Sequence, residues 1–201
     1  MKKLLAVAVV LVTACSKQAT EPGGGTIYNP VPLAVGNYWA YLNYSTLGSD
    51  TTRDTLRIVG TGRVNGHEAF AVLWDDENDT SYVYRDGDYI YIFDQDGSQE
   101  GILIRFVKVP LSEGDTWTVY SESDSSDVIT ATVTGMVDIV VPAGRFEQAA
   151  EVRWMEIRTH ATYADTSYEY YYFANDVGMV KYRELHGMAE EISELEGYDV
   201  R

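Results

Sequence analysis

Beyond Asn37 the chain alternates apolar and polar residues in short runs, without the three-and-four spacing of helices. Val, Ile, Tyr, Trp, Phe and Thr dominate the runs, and turn residues interrupt them roughly every ten positions. A period of two in such residues marks strands. It predicts strands over 37–46, 53–64, 67–75, 80–85, 88–94, 101–109, 116–122, 127–141, 146–159, 167–174 and 179–185. The tail from Gly187 carries Glu190, Glu191, Glu194 and Glu196, which suit a solvated helix; a last edge strand fits equally. The expected fold is all-β: one strongly curved antiparallel sheet, an open or half barrel, built as a meander of about eleven or twelve strands with few or no helices.

Two hairpins can be read in register. Asn65-Gly66 is a strong two-residue turn signal. It sets Val64 opposite His67, Arg63 opposite Glu68, Thr61 opposite Phe70 and Val59 opposite Val72. Opposite charges meet, and so do apolar residues, each match contributing a few tenths to about 1 kcal/mol. Asp86-Gly87 predicts a second turn, with Tyr84 opposite Tyr89 and Tyr82 opposite Tyr91. The four tyrosines then share one face with Phe93, while Val83, Ile90 and Ile92 take the other. A sheet with one wet face does not look like this: either each side is covered, or one lines a concavity.

Aromatic content is the one positive functional feature. There are 16 Tyr and 4 Trp, and Tyr168, Tyr170 and Tyr172 alternate with Tyr171 and Phe173. Tyrosine suits surfaces that are part apolar and part wet, although strand propensity alone also enriches it. The candidate ligand-binding set is Tyr82, Tyr84, Tyr89, Tyr91, Trp39 and Trp117, for an apolar or glycan ligand. The two tryptophans belong to a faint repeat: Pro32-Leu33-Ala34-Val35-Gly36-Asn37-Tyr38-Trp39 echoes Pro110-Leu111-Ser112-Glu113-Gly114-Asp115-Thr116-Trp117. The simpler account, preferred here, is a Gly-Asn or Gly-Asp turn followed by a Trp that plugs one end of the core. Duplication of a half-sheet is the alternative.

The N-terminus has a different pattern. Lys2 and Lys3 precede an apolar run from Leu4 to Val12, which ends in small residues at the single cysteine, Cys15. This is the layout of a secretory signal, and the run is far shorter than the roughly 20 residues a membrane span needs. Val12-Thr13-Ala14-Cys15 resembles a bacterial lipobox. That resemblance implies cleavage before Cys15 and acylation of its thiol, including palmitate, and of its new amino group. Several chains on one residue make a lasting anchor. Ser16, where Asp would favour inner-membrane retention, leans the expected location toward the outer membrane. The chain thus divides into a signal peptide over 1–14, a lipidated cysteine and flexible Gly- and Pro-containing tether over 15–31, and a β domain over 32–201.

Formal net charge is −16, and loss of Lys2 and Lys3 makes it more negative. Such a surface repels nucleic acid. No catalytic set is visible. His67, His160 and His186 fall on separate strands or turns without zinc-site spacing, and His67 reads as an exposed turn residue. No Gly-x-Ser-x-Gly elbow is present. Asp75-Asp76-Glu77-Asn78-Asp79 fails the EF-hand pattern, because Thr80 stands where Gly is required. It reads as a solvated loop, as do Asp94-Gln95-Asp96-Gly97 and the Ser-rich stretch 121–127. No metal and no cofactor is expected, and the chain is expected not to be an enzyme.

The Pro-Leu-x-x-Gly-x-x-Trp opening joins two further motifs, Val141-Pro142-Ala143-Gly144-Arg145-Phe146 and 171–181, Tyr-Tyr-Phe-Ala-Asn-Asp-Val-Gly-Met-Val-Lys. As a set they resemble a large group of uncharacterised bacterial envelope lipoproteins, which implies a curved antiparallel sheet and brings no activity. A more distant similarity in style is to the half-barrel carriers LolA, LolB and LppX, whose helical lids find no match in this sequence. The functional expectation is a monomeric, membrane-anchored envelope lipoprotein that binds an apolar or glycan ligand without catalysis. The alternative is a structural or assembly protein acting through envelope-protein partners.

Overall fold

The computed structural model describes residues 25–48, 50–74, 80–94, 101–121, 126–160 and 162–201. Every regular element among them is a strand. In chain order these are β1 (Thr26–Ile27), β2 (Tyr38–Ser45), β3 (Thr51–Val64), β4 (His67–Trp74), β5 (Thr80–Asp86), β6 (Tyr89–Asp94) and β7 (Ile102–Lys108). There follow β8 (Leu111–Ser112), β9 (Thr116–Ser121), β10 (Asp127–Val141), β11 (Gly144–Thr159), β12 (Ala164–Ala174), β13 (Gly178–His186) and β14 (Ala189–Asp199). Twelve of them form one antiparallel sheet in the order β7-β6-β5-β4-β3-β2-β14-β13-β12-β11-β10-β9, and β1 pairs with β8 apart from it. The all-β, strongly curved sheet expected from period-two patterning is what forms. The helical lid of half-barrel carriers has no counterpart among the described residues.

The path is not a single meander. β2 to β7 form one six-stranded meander and β9 to β14 another, joined where β2 pairs with β14. The ends of the order, β7 and β9, lie against each other at a seam, where the Trp117 indole donates to the Arg105 carbonyl at 3.2 Å. The sheet is therefore nearly closed into a barrel. The tail, open between helix and edge strand on sequence, is β14 in the middle of the sheet, with Leu195 fully buried. Nothing local in an acidic stretch announces a partner strand about 150 residues away.

The Pro-Leu repeat opens both halves in the same way. The Gly36 amide donates to the Ile58 carbonyl at 2.8 Å, and the Ile58 amide donates to the Asn37 carbonyl at 2.9 Å. The second half repeats this: Gly114 amide to Val133 carbonyl, and Val133 amide to Asp115 carbonyl, both at 2.9 Å. Gly36 and Gly114 hold φ of 94° and 85°, a region that favours glycine. Trp39 and Trp117 then enter the core, as the plug reading expects. A bulge follows in each long strand, after Ile58 in β3 and after Val133 in β10. The halves thus share one design, the half-sheet relation held as the alternative.

Both hairpins form, with differences in register. Asn65 and Gly66 carry φ of 51° and 86°, as a type I′ turn requires, and Val64–His67, Arg63–Glu68 and Thr61–Phe70 pair as expected. Val59 does not face Val72; the bulge moves Ile58 into that place and leaves Val59 exposed. In the second hairpin Gly87 and Asp88 are the turn, not Asp86 and Gly87. Tyr84 therefore faces Tyr91 and Tyr82 faces Phe93. Only Gly87 of the two has positive φ, matching a turn with Gly first. The slip is two residues, so Tyr82, Tyr84, Tyr91 and Phe93 still share one face.

The folded body begins earlier than Pro32. Thr26 and Ile27 pair with Ser112 and Leu111, and Ile27 and Pro30 are buried. The Tyr28 and Asn29 amides donate to Asn175 Oδ1 at 2.9 and 3.0 Å. The segment 25–37 crosses one end of the barrel and closes it, so residues 25–31 pack with the β domain. The signal segment, Cys15, the 75–79 loop and most of the other two acidic turns lie outside the described residues.

Candidate functional site

At the other end, where the β2–β3 and β13–β14 connections lie, none of the described residues covers the barrel interior. Register sets what lines it. Moving inward from the rim, one rung carries Glu169, Glu184, Glu191 and Ser45 across β12, β13, β14 and β2. The next carries Tyr171, Tyr182, Ser193, Asn43 and, on β3, Thr52. Deeper still, Leu195, Tyr41 and Asp54 stand side by side, above Trp39, Leu56 and Trp74. Paired residues share a face and alternate residues share a side. The interior therefore grades from acidic rim through tyrosine hydroxyls to an apolar floor.

The result is a concavity of about 560 Å³, within the roughly 300–1,000 Å³ of small-molecule sites. Tyr41, Trp74, Tyr171 and Tyr182 supply aromatic surface; Asn43, Asp54 and Glu191 supply polar atoms. The Tyr41 hydroxyl donates to the Met179 carbonyl at 2.9 Å, and its ring lies 6.2 Å from that of Trp74. Tyr171 and Tyr182 meet at 5.0 Å between centroids. Tyr171 donates to Glu169 Oε2 at 2.5 Å and Tyr182 to Glu184 Oε2 at 2.9 Å. The Asn43 amide donates to Asp54 Oδ2.

The electrostatics follow from burial and like charges. Burial pushes the Glu169 carboxyl up, Glu184 and Glu156 push the same way, and the hydroxyls of Tyr171 and Tyr182 oppose them. Burial is also the main reason the Tyr41, Tyr171 and Tyr182 phenols are held well above their ordinary range, with Glu169 adding to it for the last two. These hydroxyls stay protonated donors. Direct opposition of Glu169, Glu184 and Glu191 across three strands is unfavourable by itself.

The tyrosines and tryptophans singled out on sequence do not come together. Val83, Ile90 and Ile92 point into the main core. Tyr82, Tyr84 and Tyr91 with Phe93 therefore lie on the opposite, outer face, in a small cluster over Val64 and Ala69. Tyr84 is only 3% exposed, stacked between His67 at 4.6 Å and Tyr91 at 5.3 Å. Tyr89 meets Tyr91 edge-on and packs toward the main core, with the Arg105 guanidinium 4.8 Å above its ring. The expected concave aromatic face is thus on the convex side, because the slip of two residues preserves faces and the core claims the aliphatic one. His67, expected as an exposed turn residue, is instead half-covered by its stack on Tyr84. Trp39 and Trp117 are core residues: the Trp39 indole donates to the Val177 carbonyl at 2.6 Å.

Apart from Tyr171, in the tyrosine-rich run 168–173, the residues lining the open end carried no sequence signal of their own. The β2–β3–β4 pairing brings Tyr41 to Trp74, and the β2–β14 closure brings Tyr182 to both. One further group was missed for the same reason. Glu184, His186 and Glu191 offer ligand atoms all within 4.8 Å of one another at the β13–β14 turn, with His186 Nε2 3.0 Å from Glu184 Oε1. Histidine spacing alone could not reveal it, because cross-strand pairing brings Glu191 to Glu184. A divalent cation could be held there, although His186 and Glu191 are exposed.

No family model matches this chain, and no curated protein matches it significantly. Two solved structures share its fold. One is a candidate lipoprotein from Parabacteroides distasonis, 12% identical, with a TM-score of 0.52 over 87% of this chain and 99% of that one. The other is a candidate exported protein with a YmcC-like fold from Bacteroides fragilis. It is 14% identical, with a TM-score of 0.54 over 84% of this chain and 97% of that one. At these identities the likeness shows the fold alone.

Proposed function

We propose that this chain is an envelope lipoprotein, anchored through acyl groups on Cys15, whose barrel is a non-enzymatic binding module. The ligand is sugar-sized and lies in the open end, against Tyr41, Trp74 and Tyr182. The observation that carries the reading is the graded interior: aromatic walls, aligned hydroxyls and carboxylates around about 560 Å³, opposite an end closed by residues 25–37. Rings that stack on a sugar face beside acceptors that take its hydroxyl protons are what a glycan site needs. The location rests on the lipobox and on the candidate lipoprotein and exported protein that share the fold.

Two measurements test this. A Cys15→Ser variant should leave the membrane fraction; retention there sinks the anchor. A thermal-shift screen of sugars on the full-length protein should find stabilisers whose effect is lost in Trp74→Ala and kept in Tyr84→Phe. A screen in which the two variants behave alike sinks the site.

A further inference from the structure

The inference concerns the ligand's charge and rests on the open-end site proposed above. Among the described residues lining that concavity, Asp50, Asp54 and Glu191 are carboxylates, and no Lys, Arg or His lines it. Basic residues on the flanking strands are engaged on the outer face. Arg53 pairs with Glu196 at 2.8 Å, Lys181 with Glu194 at 2.6 Å and Arg183 with Glu190 at 2.9 Å. At the rim Arg158 is held by Glu156 at 2.7 Å. The remaining rim carboxylates, Glu169 and Glu184, are cross-strand neighbours of each other and, for Glu184, of Glu191. At the same rim His186 Nε2 lies 3.0 Å from Glu184 Oε1. Carboxylates still outnumber this one imidazole, so the potential of the interior is negative and an anion entering it is repelled.

Charge alone would suit a metal ion, but the site is far larger than one ion and has aromatic walls. Tyr41 and Trp74 form one wall, Tyr171 and Tyr182 another. Ring faces attract cations, Trp most strongly. An organic ammonium group uses both kinds of surface at once, its charge on the carboxylates and its C–H surface on the rings. A neutral sugar uses the rings and leaves the carboxylates uncompensated, while a bare divalent ion makes no use of the rings.

We propose that the open end of the barrel selects an organic cation, a ligand bearing a protonated amine or quaternary ammonium, through Asp54 and Glu191 with the Tyr41–Trp74 wall. The test is calorimetric titration of the full-length protein in detergent with three sugars of one ring shape, at a pH where the amine is protonated. Glucosamine carries a positive charge, glucose none and glucuronate a negative one. Benzyltrimethylammonium is the fourth probe. Glucosamine should bind about tenfold tighter than glucose, with glucuronate weaker than both. Asp54→Asn and Glu191→Gln should each remove most of the preference for glucosamine over glucose. Binding of benzyltrimethylammonium with no sugar binding supports the cation and removes the glycan. Equal binding of the three sugars overturns the cation preference and leaves the site standing. No binding by any of the four overturns both.

Discussion

At the scale of single residues, the closed end depends on contacts that leave no room. Gly178 has φ of 109°, and a Cβ built there would lie 3.0 Å from Trp39 Nε1, whose proton goes to the Val177 carbonyl. Gly178→Ala is therefore strained in its backbone and crowds an indole that cannot retreat without breaking its bond. The expected cost is about 1–3 kcal/mol, read as a drop in urea midpoint at unchanged slope; an unchanged midpoint would contradict the packing described. Glu169 gives a prediction in pH. Its carboxyl is raised in the fold, chiefly by burial. The protonated form is thus favoured by folding, and that stability is present at low pH and lost as pH rises through the folded value. Glu169→Gln keeps an acceptor for the Tyr171 and Tyr182 hydroxyls and removes the charge. The stability of the native protein relative to this variant should fall as pH rises through and above the ordinary carboxylate range. A flat or rising difference would contradict it. Neither residue announced itself in the sequence: Gly178 is one of 17 glycines and Glu169 one of 31 acidic residues. What distinguishes them is which neighbour the fold brings, and that is not local information.

Among elements, the alternation of residue types gave faces and left register open. Strand positions 127–141 were read to the residue, and β9, β4 and β13 to within one or two, because Val, Ile, Tyr and Trp runs end sharply at Gly, Asp and Asn. Register is a second question, and turn chemistry answers it only when one turn type is clearly preferred. At Asn65-Gly66 both residues tolerate positive φ, and the pairing followed as far as the Val59 bulge. Asp86-Gly87-Asp88 offers two turns, Asp-Gly and Gly-Asp, and the fold uses the one with Gly first. That choice predicts Gly87→Val to cost about 1–2 kcal/mol, since Gly87 holds φ of 57°. Asp86 lies in the strand opposite Tyr89, so Asp86→Thr should be neutral or stabilising. The comparison of the two denaturation midpoints checks the turn, and a larger loss at Asp86 than at Gly87 would place it one residue earlier.

For the whole molecule, the decisive fact is the pairing of β2 with β14. It joins two similar halves, relegates the seam to β7 and β9, and assembles an interior that, among the described residues, opens at the end away from 25–37. The repeat of Pro-Leu-x-x-Gly-x-x-Trp hinted at the halves, but the sequence carries no sign of how they meet, because that contact spans most of the chain. This is also why the candidate site moved from the Tyr82–Tyr91 hairpin to residues scattered over β2, β4, β12, β13 and β14. Local density of tyrosine identified a packed outer cluster; the closure of the barrel made the cavity. The four tryptophans report on the difference. Trp74 lines the open end, whereas the Trp39 and Trp117 indoles are bonded to carbonyls elsewhere in the barrel. In an amide-type NMR titration of the full-length protein with glucosamine, the Trp74 indole N–H should shift while those of Trp39 and Trp117 stay in place. A stationary Trp74 with movement confined to Tyr82, Tyr84 and Tyr91 would contradict the account and return the site to the outer face.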